Sequence, residues 1–230
     1  MEIVGKDLAA KIARAMVDNK FVLAIGPNVM NIIYVEGMNS DGTPNEFRNN
    51  AFDCVRLLLR VLENGRGEIL GIWDAITHAG LYWEMHRINP RGAFHIRLGQ
   101  QTCWVMGHYH DQEALIQAAP IEGTRDGKND FKREGPPVRG QFGVHHHWGY
   151  DYPKDDAGKS SAGCQVGRTK LGHRQFIKLL KTDERYQKDQ KFMWSSTVMP
   201  QQWVLKDQRA SDRKRVAPSK RPANPARRAN

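Results

Sequence analysis

Short segments of strand-like hydrophobicity occur along this chain, and turn-forming residues separate most of them. Residues 31–35 and 192–199 are rich in the β-branched and aromatic residues typical of strands. Residues 54–62 and 68–75 are apolar on either side of the turn sequence Glu-Asn-Gly-Arg-Gly. This arrangement predicts a β-hairpin, although the leucines of the first segment would also suit a helix.

The middle of the chain continues the same pattern. Residues 94–98 alternate between apolar and polar side chains, as in a half-buried strand. Residues 102–106 and 114–121 are expected to extend the sheet. Residues 122–139 are polar and are expected to form a long loop.

Helical spacing is confined to two segments. Residues 7–18 predict a short helix, and residues 171–186 predict the one sizeable helix, with Phe176, Ile177 and Leu180 facing the core. Eleven prolines and 21 glycines in 230 residues favour many short elements joined by turns. The sequence therefore predicts a mainly β, or β-rich α+β, fold.

Histidines and one cysteine are brought together in the turn-rich segment 140–168. If its first part is a strand, alternate side chains face opposite sides. One face would carry Phe142, Val144 and His146, and the other would carry His145 and His147.

After a loop over residues 149–159, the chain reaches Ser161-Ala-Gly-Cys164. Gly163 frees the backbone before Cys164, so the amides at and beside Cys164 are candidate donors to an oxyanion. A cysteine nucleophile needs an imidazole to accept its proton, and His147 or His145 could supply one. The alternative is a buried core cysteine beside a surface histidine run.

These residues resemble the active-site motif of L,D-transpeptidase catalytic domains, in which a histidine is followed by Ser/Thr-His-Gly-Cys. The strings FGVHHHW and SAGCQVGR are also similar to a group of phage and bacterial proteins that carry FGINIH and SAGCQV. The resemblance covers about residues 25–200 and places the family's histidine on His147 and its cysteine on Cys164. Ala162 departs from it, because a second histidine usually stands there, and Gly-Arg at 167–168 replaces an Arg or Asn closer to the cysteine.

The resemblance implies cysteine-dependent acyl transfer or hydrolysis on peptidoglycan stem peptides. Cys164 would attack an amide carbonyl, and His147 would accept the thiol proton and return it to the leaving amine. His145 is the alternative base or a group that orients His147. Ser161 would orient the imidazole or donate to the substrate, while Gly163 shapes the oxyanion turn. No cofactor is implied.

Metal binding has weaker support. His108, His110 and Asp111 could ligate zinc together with the histidines at 145–147, but their spacing also fits one strand face. Asp126 and Asp130 resemble part of a calcium loop that lacks its later glutamate, so a solvated hairpin is favoured. We predict no metal and, without a P-loop or Rossmann glycine pattern, no nucleotide cofactor.

The net charge of +10 is concentrated at the C-terminus. Residues 206–230 contain nine basic and two acidic residues, a net of +7, which leaves +3 for the first 205 residues. We expect three parts: a helical lead-in (1–24), the β-rich domain (25–205) and a flexible basic tail (206–230). The tail would bind an anionic partner, such as nucleic acid or an acidic protein surface, or would simply be solvated.

Features that the sequence lacks bear on where the protein would be located. The three cysteines (Cys54, Cys103 and Cys164) are too few for a disulfide framework, and the early acid Glu2 argues against a secretory signal. No apolar run reaches 18 residues, so no membrane span is expected. The phage resemblance implies a virion- or lysis-associated protein, found in virions or host cytoplasm, or otherwise in the cytoplasm. Two alternatives are a virion structural or attachment protein and a nucleic-acid-binding protein.

Overall fold

A computed structural model describes residues 1–206, and the predicted basic tail lies outside this range except for Lys206. The strands are β1 (Asn31–Glu36), β2 (Cys54–Val61), β3 (Gly67–Ile76), β4 (Ala93–Ile96), β5 (Gly99–Tyr109), β6 (Gln112–Gln117), β7 (Ile121–Asp126), β8 (Val138–Gly140), β9 (His146–Trp148), β10 (Gln165–Gly167) and β11 (Trp194–Pro200). The helices are α1 (Leu8–Asp18), α2 (Leu81–Met85), α3 (Lys170–Leu180), α4 (Glu184–Lys188) and α5 (Gln201–Val204).

Eight strands form a closed barrel in the order β1-β11-β5-β6-β9-β10-β3-β2, and β4, β7 and β8 form a separate three-stranded sheet. The predicted β-rich class is therefore confirmed. The predicted hairpin is also confirmed, because β2 pairs antiparallel with β3 along its whole length. No helix within residues 1–206 is long and apolar enough to cross a membrane.

Both predicted helices are present. Asp7 caps α1, its side chain accepting a hydrogen bond from Ala10 N (2.9 Å). The predicted helix 171–186 is two helices, because the buried Asp183 carboxylate accepts from Met30 N (2.7 Å) and from Arg185 N (2.9 Å) and begins α4. As predicted, Phe176, Ile177 and Leu180 are buried.

Two expectations for the middle of the chain are wrong. The predicted strand 114–121 is divided between β6 and β7, and the predicted loop 122–139 contains most of β7 and most of β8. A polar sequence can form β7 because the backbone of β4 pairs with it, and Gly123 lets the two strands meet. A Cβ at Gly123 would lie 2.3 Å from the carbonyl oxygen of His95.

The two strands of segment 140–168 lie side by side in the barrel. β9 and β10 are parallel, with His146 opposite Gln165 and His147 opposite Val166. Gln165 N also donates to His145 O (2.9 Å), which continues the pairing toward the cysteine. This register places Cys164 beside His145, and His147 follows two residues further along.

Candidate functional site

Cys164 and His147 line the same surface cleft, which has a volume of about 470 Å³. One wall comes from residues 142–144, 147 and 150, and another from residues 159, 160 and 162–164. The candidate site residues His145 and Ser161 are therefore not among the residues that line the cleft. The β4 and β7 strands and the α2 segment complete it. Its lining also includes Trp83, Phe94, Tyr109, His110, Arg125, Phe142, Tyr150 and Lys159.

Cys164 lines this cleft and is only 9% exposed. Its Sγ is 3.4 Å from His145 N and 3.5 Å from the Gly143 carbonyl oxygen. Burial raises the pKa of Cys164 to about 11, and the hydrogen bond from the His145 amide opposes this rise. The free protein therefore holds a neutral thiol at pH 7.

His147 is held as the tautomer that a general base requires. Its Nδ1 lies 2.7 Å from the Trp148 carbonyl oxygen, which can only accept, so Nδ1 carries the proton and Nε2 carries the lone pair. The ring stacks on Tyr109 at a centroid distance of 4.5 Å. Burial lowers the pKa of His147 to about 4, so the imidazole is neutral at pH 7.

His145 has the opposite arrangement. Its Nδ1 accepts a hydrogen bond from Gln117 N (3.1 Å), so in the neutral ring Nε2 carries the proton. Burial lowers the pKa of His145, which favours this neutral form. His145 is thus set to donate a hydrogen bond, whereas His147 is set to accept a proton.

His146 faces the barrel interior, as the alternation predicts. Its Nδ1 is 3.2 Å from the Tyr34 hydroxyl, and its ring packs edge-on against Trp104. The alternation fails at Phe142, which lines the cleft. Gly143 has φ of +71°, and this conformation turns the chain between Phe142 and β9.

The turn before Cys164 is fixed by Ser161. The buried Ser161 Oγ lies 2.8 Å from His78 O and 2.9 Å from Cys164 O, and it accepts from Gly163 N (3.1 Å). These three contacts are with backbone groups rather than an imidazole. Gly163 has φ of +123°, and a Cβ there would lie 2.6 Å from Phe94 O, so both conformation and space require glycine.

Positive charge in the cleft was not foreseen from the sequence. Arg125 from β7 stacks over Phe142 (5.0 Å) and Lys159 over Tyr82 (4.3 Å), and both line the cleft. No aspartate or glutamate is among the lining residues of the described chain. The cleft therefore favours an anionic ligand.

The residues weighed as zinc ligands do not converge. His110 lines this cleft, whereas His108 and Asp111 line a different cleft of about 450 Å³. Within residues 1–206, three ligand side chains do converge elsewhere, at Glu84, His95 and Asp126. No spacing in the sequence pointed to this group.

No protein-family model, curated protein or solved structure matches this chain. A thiol and an imidazole in the base tautomer face one cavity that carries positive charge. Such a set can attack a carbonyl carbon and transfer a proton to the leaving group.

Proposed function

We propose that this protein is a phage-encoded, virion- or lysis-associated enzyme that transfers or hydrolyses acyl groups of peptidoglycan stem peptides, with Cys164 as nucleophile. One observation carries the proposal: Cys164 and His147 line one cleft, and the Trp148 carbonyl holds His147 with Nε2 free to accept a proton. Resemblance to L,D-transpeptidase domains suggests the substrate class, and the cationic cleft agrees with peptides that bear carboxylates.

In the proposed reaction, Cys164 Sγ forms a bond to an amide carbonyl carbon while its proton passes to His147 Nε2. The carbon–nitrogen bond then breaks, and the imidazolium returns the proton to the leaving amine. A thioester remains on Cys164. An incoming amine would produce a cross-link and water would produce cleavage, with the thiol regenerated in both cases.

Other groups in the turn support this chemistry. Gly163 N and Gln165 N are engaged by Ser161 Oγ and His145 O, so the Cys164 N–H is our candidate donor to the oxyanion. His145 would contribute its backbone amide to Sγ and, because it does not line the cleft, would act as a positioning residue. Ser161 would act as a positioning residue for the turn.

Arg125 and Lys159 would bind the substrate's carboxylates. Arg125 donates to Gly92 O (3.3 Å) and packs on two phenylalanines, which holds its guanidinium at the cleft wall. Stacked arginine keeps further N–H donors for a carboxylate. We expect stem peptides with free carboxylates to bind better than amidated ones.

The test is mass spectrometry of muropeptides after purified sacculi are incubated with the protein. New cross-linked or cleaved stem peptides should appear with wild type and disappear with Cys164→Ala. Cys103→Ala is the matched control, because Cys103 is a buried core thiol outside the cleft lining and should retain activity. Unchanged muropeptides across several wall types would refute the enzymatic proposal.

A second candidate is a virion structural or attachment protein that has the same site without catalysis. The favouring observation is the small exposure of Cys164 together with its raised pKa of about 11. This candidate predicts assembly of the protein into particles whose attachment is unaffected by Cys164→Ala. Loss of infectivity in that variant, with normal particle assembly, would contradict it.

A further inference from the structure

Three buried side chains with metal-binding atoms meet outside the thiol site, where α2, β4 and β7 come together. Glu84, His95 and Asp126 are 0%, 1% and 3% exposed, respectively. One ligand atom from each lies within 4.8 Å of the others. Two carboxylates and one imidazole are thus removed from water in a single cluster.

Part of this cluster lacks the partners that burial demands. Glu84 Oε1 is 2.6 Å from His95 Nε2, but Glu84 Oε2 has no hydrogen-bond partner within the described residues. The neighbouring His78 ring, centred 6.1 Å from that of His95, is 4% exposed, and neither of its nitrogens has a partner in the described chain. An unsatisfied buried polar group costs about 1–3 kcal/mol, and more when it is charged. A cation would satisfy these groups.

Asp126 is oriented as a ligand would be. Lys128 N (3.0 Å) and Phe131 N (2.6 Å) donate to its two oxygens, which fixes the carboxylate and leaves lone pairs free. Ligand atoms about 2.1 Å from a tetrahedral zinc ion lie about 3.4 Å apart. The Glu84–His95 contact is shorter than this spacing, at 2.6 Å, and the largest separation in the group is within 4.8 Å. Small side-chain movements would therefore bring the three ligand atoms to the distances that zinc requires.

We propose that Glu84, His95 and Asp126 bind a divalent transition-metal ion of the zinc class, with His78 as the candidate fourth ligand. The imidazole donor disfavours magnesium and calcium, which prefer oxygen ligands. The ion would connect α2, which carries the cleft residue Trp83, to the strands that carry Phe94 and Arg125. Its role is structural and does not depend on peptidoglycan chemistry.

The experiment measures zinc binding to the full chain after its metal is removed by chelation. Competition with a chromophoric zinc chelator gives the affinity, and metal analysis after gel filtration gives the stoichiometry. We expect one tightly bound zinc per chain. Glu84→Gln keeps the size and one hydrogen bond of the side chain, and it should weaken binding at least tenfold.

A matched control separates this site from adventitious binding by exposed histidines. The double variant His108→Ala/His110→Ala should keep the tight site. Zinc binding that is absent from wild type, unaffected by Glu84→Gln, or lost only in the double variant would overturn the proposal. If Glu84→Gln fails to fold, X-ray absorption of the wild-type zinc complex decides: a first shell of nitrogen and oxygen that includes imidazole supports the site, and hydrated zinc refutes it.

Discussion

The structure predicts the resting protonation states of Cys164 and His147 and the free energy needed to transfer the proton between them. Burial raises the thiol pKa from 9.0 to about 11 and lowers the imidazole pKa from 6.5 to about 4. The two values differ by about 7, so forming thiolate and imidazolium costs ~10 kcal/mol before their mutual attraction is counted, at ~1.4 kcal/mol for each pKa unit. We therefore expect a neutral pair at rest, with the proton transferred only during attack on the substrate.

Alkylation by iodoacetamide tests this expectation, because only the thiolate reacts. At pH 7 a thiol of pKa about 11 is ionised roughly a hundredfold less than one of pKa 9.0, so the folded Cys164 should react about a hundredfold more slowly than in urea. Peptide mass spectrometry follows Cys164 separately from Cys54 and Cys103.

The pH dependence separates low ionisation from simple steric protection. The rate should rise about tenfold for each pH unit up to pH 10 without a plateau, and His147→Gln should change it little. Rapid alkylation that is constant between pH 6 and 8 and falls sharply in His147→Gln would contradict a neutral resting pair. That result would establish a thiolate–imidazolium pair.

Three further predictions concern the turn, the cleft and acid stability. Ser161→Ala should lower the free energy of unfolding by about 1–3 kcal/mol, measured with urea, because it leaves buried backbone groups unpaired; unchanged stability would contradict its role in fixing the turn. Arg125→Gln should raise KM for stem peptides with free carboxylates at least tenfold while kcat changes little, and equal effects on amidated peptides would contradict carboxylate binding. Unfolding should become easier below pH 6.5, because burial depresses the pKa of His147 and His173 and the unfolded chain binds protons first. Each of these two histidines should lower the free energy of unfolding by ~2 kcal/mol at pH 5, and a stability that is constant in urea titrations between pH 7 and 5 would contradict this.

The local sequence pattern was sufficient to predict those features that depend on residues close together in the sequence. The alternation that separates His146 from His145 and His147 is visible in the sequence, because successive strand residues face opposite sides. The β2–β3 hairpin could also be predicted, since its turn sequence lies between two apolar segments. The same reasoning failed at Phe142, because a following glycine with positive φ interrupts the strand.

Distant pairing explains what the sequence did not reveal. Asp126 lies in a polar stretch typical of a solvated hairpin, yet β4 and α2 cover it and leave it 3% exposed. Arg125 reaches the cleft for the same reason. Such burial depends on contacts between residues more than thirty positions apart, and no short-range periodicity encodes them. The structure was also needed to tell which histidine has the base tautomer, because the tautomer depends on the hydrogen-bond partner of each Nδ1.

The proposed metal site and the thiol are connected through one strand. On β4, Phe94 faces the cleft and meets Gly163, whereas the next residue, His95, belongs to the metal cluster. A bound ion would restrict β4 and with it the turn that carries Cys164, so a reagent would reach Sγ less often. We therefore expect zinc to slow iodoacetamide alkylation of Cys164 in wild type but not in Glu84→Gln. Equal slowing in both proteins would show that zinc acts elsewhere, such as at the cleft histidines.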